Sequence, residues 1–238
     1  MSVQNHSVRI QEIESLKTKF LNELNKVHDY YAESKEAWQI IQSSVRQGMN
    51  FEITNSVTGS VTNQNELAAK ARDYVAYQLS ESTFQQIVTL FEAFFFDLLK
   101  IWLQMYPLSL SGSKIDAKII LESPDKESIV DFMIDKDLNE VKYKRISEWF
   151  DYLKGKVSLK GYFVENEIEK LAEVRASRDV LVHAQGIVGT IYLTKSGTCA
   201  RYLVGERVEI SEIYLTETWS LTQKVMTQLV DAFIGKLR

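Results

Sequence analysis

The sequence predicts an all-α fold, and three observations carry that reading. Among 238 residues there are only ten glycines and two prolines, so helix breakers are scarce. Apolar residues recur at helical spacing over several long stretches, with charges between them. At 45% hydrophobic and 25% charged, the chain has an ordinary globular composition and the length to bury a sizeable core.

The first helix is expected from about Ile10 to Gln47. Ile13, Leu16, Phe20, Val27, Tyr31, Trp38, Ile41 and Val45 recur at its period, and Gly48 stands where a C-terminal stop belongs. His28 lies at the edge of this stripe and reads as a surface or boundary residue. From Met49 to Asn65 the pattern changes to short alternating runs with Thr-Gly-Ser turn formers, a loop or small hairpin. The Gly-Ser pair there is no phosphate loop, because no Lys-Ser or Lys-Thr follows it.

Asn65 is placed to cap a helix through Leu67, Ala71, Tyr74, Val75 and Leu79. A second pattern from Ser82 to about Met105 either abuts this helix or continues it. Its face of Phe84, Ile87, Val88, Phe91, Phe94, Phe95, Leu98, Leu99 and Trp102 is the most hydrophobic in the chain and should centre the core. Glu92 sits at the edge of that face, and Asp97 points away from it. Pro107 to Lys118 reads as a connection, with Ser109, Ser111, Gly112 and Ser113 as turn formers. Ser123-Pro124-Asp125 reads as a helix start, with short helices around Ile129 to Met133 and Ile146 to Leu153.

Glu165 to Val182 is helical through Ile168, Leu171, Val174, Leu181 and Val182, and Gly186 and Gly189 end it. Ile191 to Thr194 and Ala200 to Val204 look like short strands around Lys195-Ser-Gly197. Ser211 or a neighbour opens the last helix, with Ile213, Leu215, Trp219, Leu221, Val225, Leu229, Val230 and Phe233 as its buried set. The expected organisation is a single domain over 1–238. Residues 1–65 form an N-terminal helix with a loop or hairpin, and 66–238 form the helical core.

The formal charge of −4 gives no global attraction to nucleic acid or to an anionic membrane, so a polyanion would need a local patch. Lys142, Lys144, Arg145, Lys154, Lys156 and Lys160 outnumber Glu148 and Asp151 in one such stretch, either a solvated face or a track for RNA phosphates. Cys199 is the only cysteine, which rules out an intrachain disulfide and a zinc cluster of thiolates. The polar opening residues lack the apolar run of a signal peptide, and Leu90 to Trp102 is broken by Glu92, Asp97 and Lys100. A cytoplasmic setting without membrane association is expected.

Chemistry concentrates in Arg178-Asp-Val-Leu-Val-His183. The only other histidines, His6 and His28, lie near the N-terminus, so His183 is the side chain best suited to acid–base work near neutral pH. Arg178 falls inside the apolar stripe of its helix, a costly place unless it is paired or faces a cleft or interface. Roughly 140° of helical rotation separates it from His183, so the helix must end or bend there, or two chains must share the site. Rival chemistry is absent: no carboxylate–histidine metal cluster, no nucleotide loop and no base beside a Ser or Cys nucleophile. No metal and no cofactor are therefore expected.

The segment Arg178-Asp179-Val-Leu-Val-His183 resembles the Arg-polar-x-x-x-His signature of the HEPN (higher eukaryotes and prokaryotes nucleotide-binding) domains. Leu90 to Leu99 is similar to the apolar helix that precedes the signature in many of them. Ile146-Ser-Glu-Trp-Phe and the run after Gly186 resemble large prokaryotic members of the ribonuclease and defence type. Asp179 stands where many members carry asparagine. The resemblance covers roughly Ser82 to the C-terminus. It implies an antiparallel helical bundle forming a homodimer, with two Arg/His motifs facing one cleft. It further implies a metal-independent endoribonuclease, a toxin or antiviral effector with an antitoxin or defence-system partner protein, leaving a 2′,3′-cyclic phosphate on RNA. His183 would move the proton and Arg178 would hold the phosphate, with Asp179 and Glu92 in support. Two other readings stand beside it: a non-catalytic HEPN-type module binding RNA, nucleotide or protein, and a helical interaction protein using its first helix.

Overall fold

The structure, a computed structural model, describes residues 3–110, 115–159 and 165–238. Ser111, Gly112, Ser113 and Lys160, singled out in the sequence, lie outside the described residues. What is described is helical, and no sheet occurs in it. In order come α1 (Val3–Arg46), α2 (Gln64–Asp73), α3 (Leu79–Met105), α4 (Ala117–Glu122), α5 (Lys126–Lys142), α6 (Ile146–Val157), α7 (Glu165–His183), α8 (Thr190–Ser196) and α9 (Glu212–Leu237).

α3 is the central element for the reason the sequence gives: its apolar positions exceed what one face can hold. Phe84, Ile87, Phe91, Phe94, Phe95, Leu98 and Leu99 are all buried. α1 and α9 pack along it, with α5 and α7 against other parts of its surface. α1 joins the same buried cluster through Ile13, Phe20, Leu24 and Tyr31. Phe20 meets Phe94 edge-to-face at 5.6 Å between ring centroids, and His28 stacks on Trp219 of α9 at 4.4 Å. His28 is thus a half-buried boundary residue.

α2 and α3 run on as one helix through a π-helical segment, Tyr74–Gln78, so the two sequence patterns are continuous. Asn63, rather than Asn65, is the cap of α2: its side chain accepts the Glu66 N–H at 2.9 Å. Asp125 likewise caps α5, at 2.7 Å from the Ser128 nitrogen, while Ser123 closes α4 instead of opening a helix. α5 is also far longer than the short helix expected around Ile129 to Met133.

Of the two alternatives for Met49–Asn65, the loop is what occurs, with an isolated bridge between Thr54 and Val61. The strands expected around Lys195 do not form. Ile191 to Thr194 is part of α8, and Ala200 to Val204 is irregular. Side-chain burial explains the helix: Tyr192 and Ser196, one turn apart, are the buried pair, and the Tyr192 hydroxyl reaches Glu173 of α7 at 2.7 Å. A strand would have buried alternate residues, so this tertiary contact outweighs the β-branched composition. The last helix buries Leu215, Val225, Leu229, Val230 and Phe233, but Ile213 is exposed, and Trp219 and Leu221 are only half-buried. Val182, placed in the α7 stripe by its spacing, is exposed as well.

Because Phe94 is fully buried against α1, Phe94→Ala should cost about 3–5 kcal/mol. Urea unfolding should show a lowered midpoint with an unchanged slope, as expected for a cavity within one cooperative core.

Candidate functional site

α7 carries ionic clusters on both flanks, and the helical period assigns each residue to its side. On the first flank, Glu92 of α3 accepts from Arg178 at 2.5 Å and from Arg175 at 2.8 Å, both on the same carboxylate oxygen. Arg178 also lies 3.2 Å from Asp179, whose other oxygen takes the Lys195 ammonium of α8 at 2.8 Å. Arg175 lies over the ring of buried Trp149, 4.2 Å from its centroid. It also donates to the carbonyls of Lys144 at 2.5 Å and Lys142 at 2.8 Å.

These groups are mostly withdrawn from water. The side chains of Arg175, Arg178, Asp179 and Glu92 are between 15% and 22% exposed, so their attractions are only partly screened. The Nε of Arg178 is buried without a hydrogen-bond partner, while its terminal nitrogens serve the two carboxylates. This arrangement answers the cost of an arginine in an apolar stripe: the guanidinium is paired, and Glu92 is its partner.

His183 is a different case. α7 stays helical through His183 and ends immediately after it, so the 140° offset from Arg178 persists within one chain. The imidazole is exposed and makes no hydrogen bond, ion pair or ring contact among the described residues. The structure thus assembles Glu92, Arg178 and Asp179 and leaves His183 outside their hydrogen bonds. The helix stops where Gln185 and Gly186 adopt positive φ of 52° and 81°. The Gly186 N–H returns to the Val180 carbonyl at 3.1 Å. Arg207 packs so closely over Gly186 that an added Cβ would lie 3.2 Å from its guanidinium carbon.

Of the basic stretch, Lys142, Lys144 and Arg145 border this cluster at the α5–α6 turn. Arg145 contributes further: its N–H, closing the first turn of α6 onto Glu148, holds that carboxyl below the usual range. Lys154 lies within reach of Asp151 at 3.5 Å. Lys156 is engaged by the Ser109 carbonyl at 2.7 Å and Asp137 at 3.9 Å, so it ties α6 to the turn after α3 and to α5. Arg175, Lys195 and Arg207 were not selected from the sequence. Arg175 could have been found, since it falls one turn before Arg178; Lys195 and Arg207 depend on the fold.

On the other flank of α7, buried Glu173 accepts from Ser177 at 2.6 Å, Tyr192 at 2.7 Å, Arg201 at 3.0 Å and Tyr214 at 2.5 Å. Arg201 covers the Tyr214 ring at 3.3 Å. These contacts fasten α8, the following loop and the start of α9 to α7, beside a cleft of about 510 Å³ that includes Lys170 and Cys199. A second cleft, of about 410 Å³, lies between α6 and α8 and includes Arg145, Lys154 and Lys195. Neither cleft is lined by Arg178 or His183. Among the described residues no group of three His, Cys, Asp or Glu side chains could hold a metal, and no helix is long and apolar enough to cross a membrane.

Replacing Glu92 by Gln should cost about 2 kcal/mol, since it removes the charge from one oxygen serving two partly buried guanidiniums. Chemical denaturation checks this, and a loss below about 0.5 kcal/mol would place the cluster among ordinary surface ion pairs. A pH effect belongs to the Glu173 side. Burial, then the Glu173 charge, raises Tyr214; burial raises Tyr192 and Tyr152, with Asp137 adding to the latter. A phenol raised in the folded state contributes stability in full below its unfolded value near 10 and loses it above. Stability should therefore fall as pH rises past about 10, and Tyr214→Phe should flatten that decline in urea titrations.

Comparison with protein-family models, with curated proteins and with solved structures finds no match to this chain.

Proposed function

We propose that the protein is a metal-independent endoribonuclease of HEPN type, working as a homodimer and using Arg178 and His183. The observation that carries the reading is the contrast within one short stretch of α7. Arg178 is held in place by Glu92 and Asp179, and five residues later an unpartnered, exposed His183 terminates the helix. A positioned guanidinium suits a phosphate oxygen and the charge that develops on it. A free imidazole suits proton transfer to and from the 2′-hydroxyl and the leaving 5′-oxygen. In the reaction the 2′-oxygen bonds to phosphorus as its proton leaves to a base. The bond to the 5′-oxygen breaks, and that oxygen takes up a proton.

The offset between the two residues is what a second copy would resolve, by bringing its own α7 end alongside. Exposed Val182, Ile187 and Ile191 flank His183 in sequence, and the Leu203–Val204 turn adjoins them through hydrogen bonds between Val188 and both Gly205 and Glu206. That apolar surround suits an interface between two chains better than it suits water. A toxin or antiviral role, with an antitoxin or defence partner, follows from the resemblance alone.

A non-catalytic binding module is the competing reading, favoured by the two carboxylates that already occupy the terminal nitrogens of Arg178. Incubating the purified chain with single-stranded RNA in EDTA separates the two. Cleavage to 2′,3′-cyclic phosphate ends is expected, with a drop of about 100-fold or more in His183→Ala. RNA binding with no cleavage at any concentration would favour the module. Cleavage that needs a divalent metal or survives His183→Ala would sink the proposal. Ile191→Glu should convert dimer to monomer in light scattering and lower activity with it.

A further inference from the structure

Tyr143 is 92% exposed, the most exposed large apolar side chain among the described residues. Its side chain makes no ring contact or hydrogen bond among them. Its chain neighbours are Lys142 on one side and Lys144 and Arg145 on the other, so three cations flank the aromatic residue in the sequence of this turn. Lys142 lies 5.3 Å from the Phe96 centroid, Arg145 pairs with Glu148 at 3.3 Å, and Lys144 has no direct ion pair among the described residues.

The ring is free, but the backbone beneath it is not. Arg175 donates to the carbonyls of Lys142 and Lys144, the residues on either side of Tyr143. Its guanidinium is backed by Trp149, itself 1% exposed. The same Arg175 bonds Glu92 at 2.8 Å, and Glu92 holds Arg178 at 2.5 Å. Three hydrogen bonds in series therefore fix the position of this turn relative to the proposed phosphate-holding arginine.

We propose that the Lys142–Arg145 turn is a docking element for single-stranded RNA, with Tyr143 stacking on an unpaired base and the flanking cations holding backbone phosphates. The inference rests on the ribonuclease reading and adds to it a substrate preference and a place where the strand leaves the catalytic groups. Charge selects this occupant. A protein partner would have to bury three cations to reach one ring, at a cost in desolvation. A polyanion with exposed π-faces satisfies ring and cations together. Duplex RNA has its bases stacked already and offers the ring nothing.

The test uses the full chain carrying His183→Ala, so that RNA stays intact, with labelled single-stranded and duplex RNA compared by fluorescence anisotropy. Adding Tyr143→Ala should weaken single-strand binding about ten-fold and leave duplex binding unchanged. Tyr143→Phe should bind like the parent, because stacking needs the ring and not the hydroxyl. Lys144→Ala should lower the slope of affinity against salt by about one phosphate contact. Thermal melting should be the same in all variants, since Tyr143 has no partner to lose. Full single-strand affinity in Tyr143→Ala, or equal losses in the Ala and Phe variants, overturns the docking element while the ribonuclease reading stands. A His183→Ala chain that binds no RNA, beside an unsubstituted chain that cleaves none, overturns both.

Discussion

One carboxylate holds α7 and the turn after α5 to the central helix. Glu92 projects from the edge of α3, beside the aromatic face that makes α3 the centre of the core, and receives two guanidiniums from α7 on a single oxygen. One negative charge cannot neutralise two positive ones. The remainder is met by Asp179 and by the carbonyls at the end of α5, where the helix dipole presents its negative pole to Arg175. The result is a line of alternating sign running Lys195, Asp179, Arg178, Glu92, Arg175 and the α5 carbonyls. Each charge in the line faces an opposite charge or pole, which is how four partly buried ionic side chains are tolerated together.

That line determines what α7 can be. Its sequence is poorly amphipathic because the helix does not separate a wet side from a dry one. Glu173 and Ser177 are buried on one flank, and Arg175, Arg178 and Asp179 are largely withdrawn on the other. These polar residues face inward because they have partners, while Glu165, Asn166, Glu169 and Lys170 near the start of the helix and His183 at its end are left to solvent. Rigidity upstream and exposure at the terminus are two results of one packing arrangement.

How legible this was depended on whether a residue's role is local. The helices follow from the 3.6-residue period and were readable to within a few residues for α3, α6, α7 and α9, while α1 begins seven residues before the expected Ile10, in a stretch of polar residues. Caps were harder. Asn63 and Asn65 are both suitable acceptors two residues apart, and only the start of the helix chooses between them. α8 misled because Ile191, Tyr192 and Thr194 favour strands locally, while the bond from Tyr192 to Glu173 selects the helix from outside the segment. In the candidate site, the pairing of Glu92 with Arg178 could be anticipated, since Glu92 stands at the edge of one apolar face and Arg178 inside another, where it needs a partner. The carbonyl contacts of Arg175 could not, because they depend on a turn more than thirty residues away.

The misread segment bears directly on the chemistry of the site. By sequence alone, Asp179 sets a negative charge beside the arginine to which the proposed reaction assigns a phosphate, where an asparagine would be neutral. Without the α8 helix, Arg178 alone would face that charge. As a helix, α8 puts Lys195 one residue before its end, and the ammonium reaches the Asp179 oxygen that Arg178 does not use. Aspartate and lysine together then present Arg178 with an orienting group of little net charge. Asparagine could accept from either cation, but with no charge of its own it would leave Lys195 uncompensated at 36% exposure. The aspartate is thus matched to α8, and the pair Asp179–Lys195 belongs to the site as a unit.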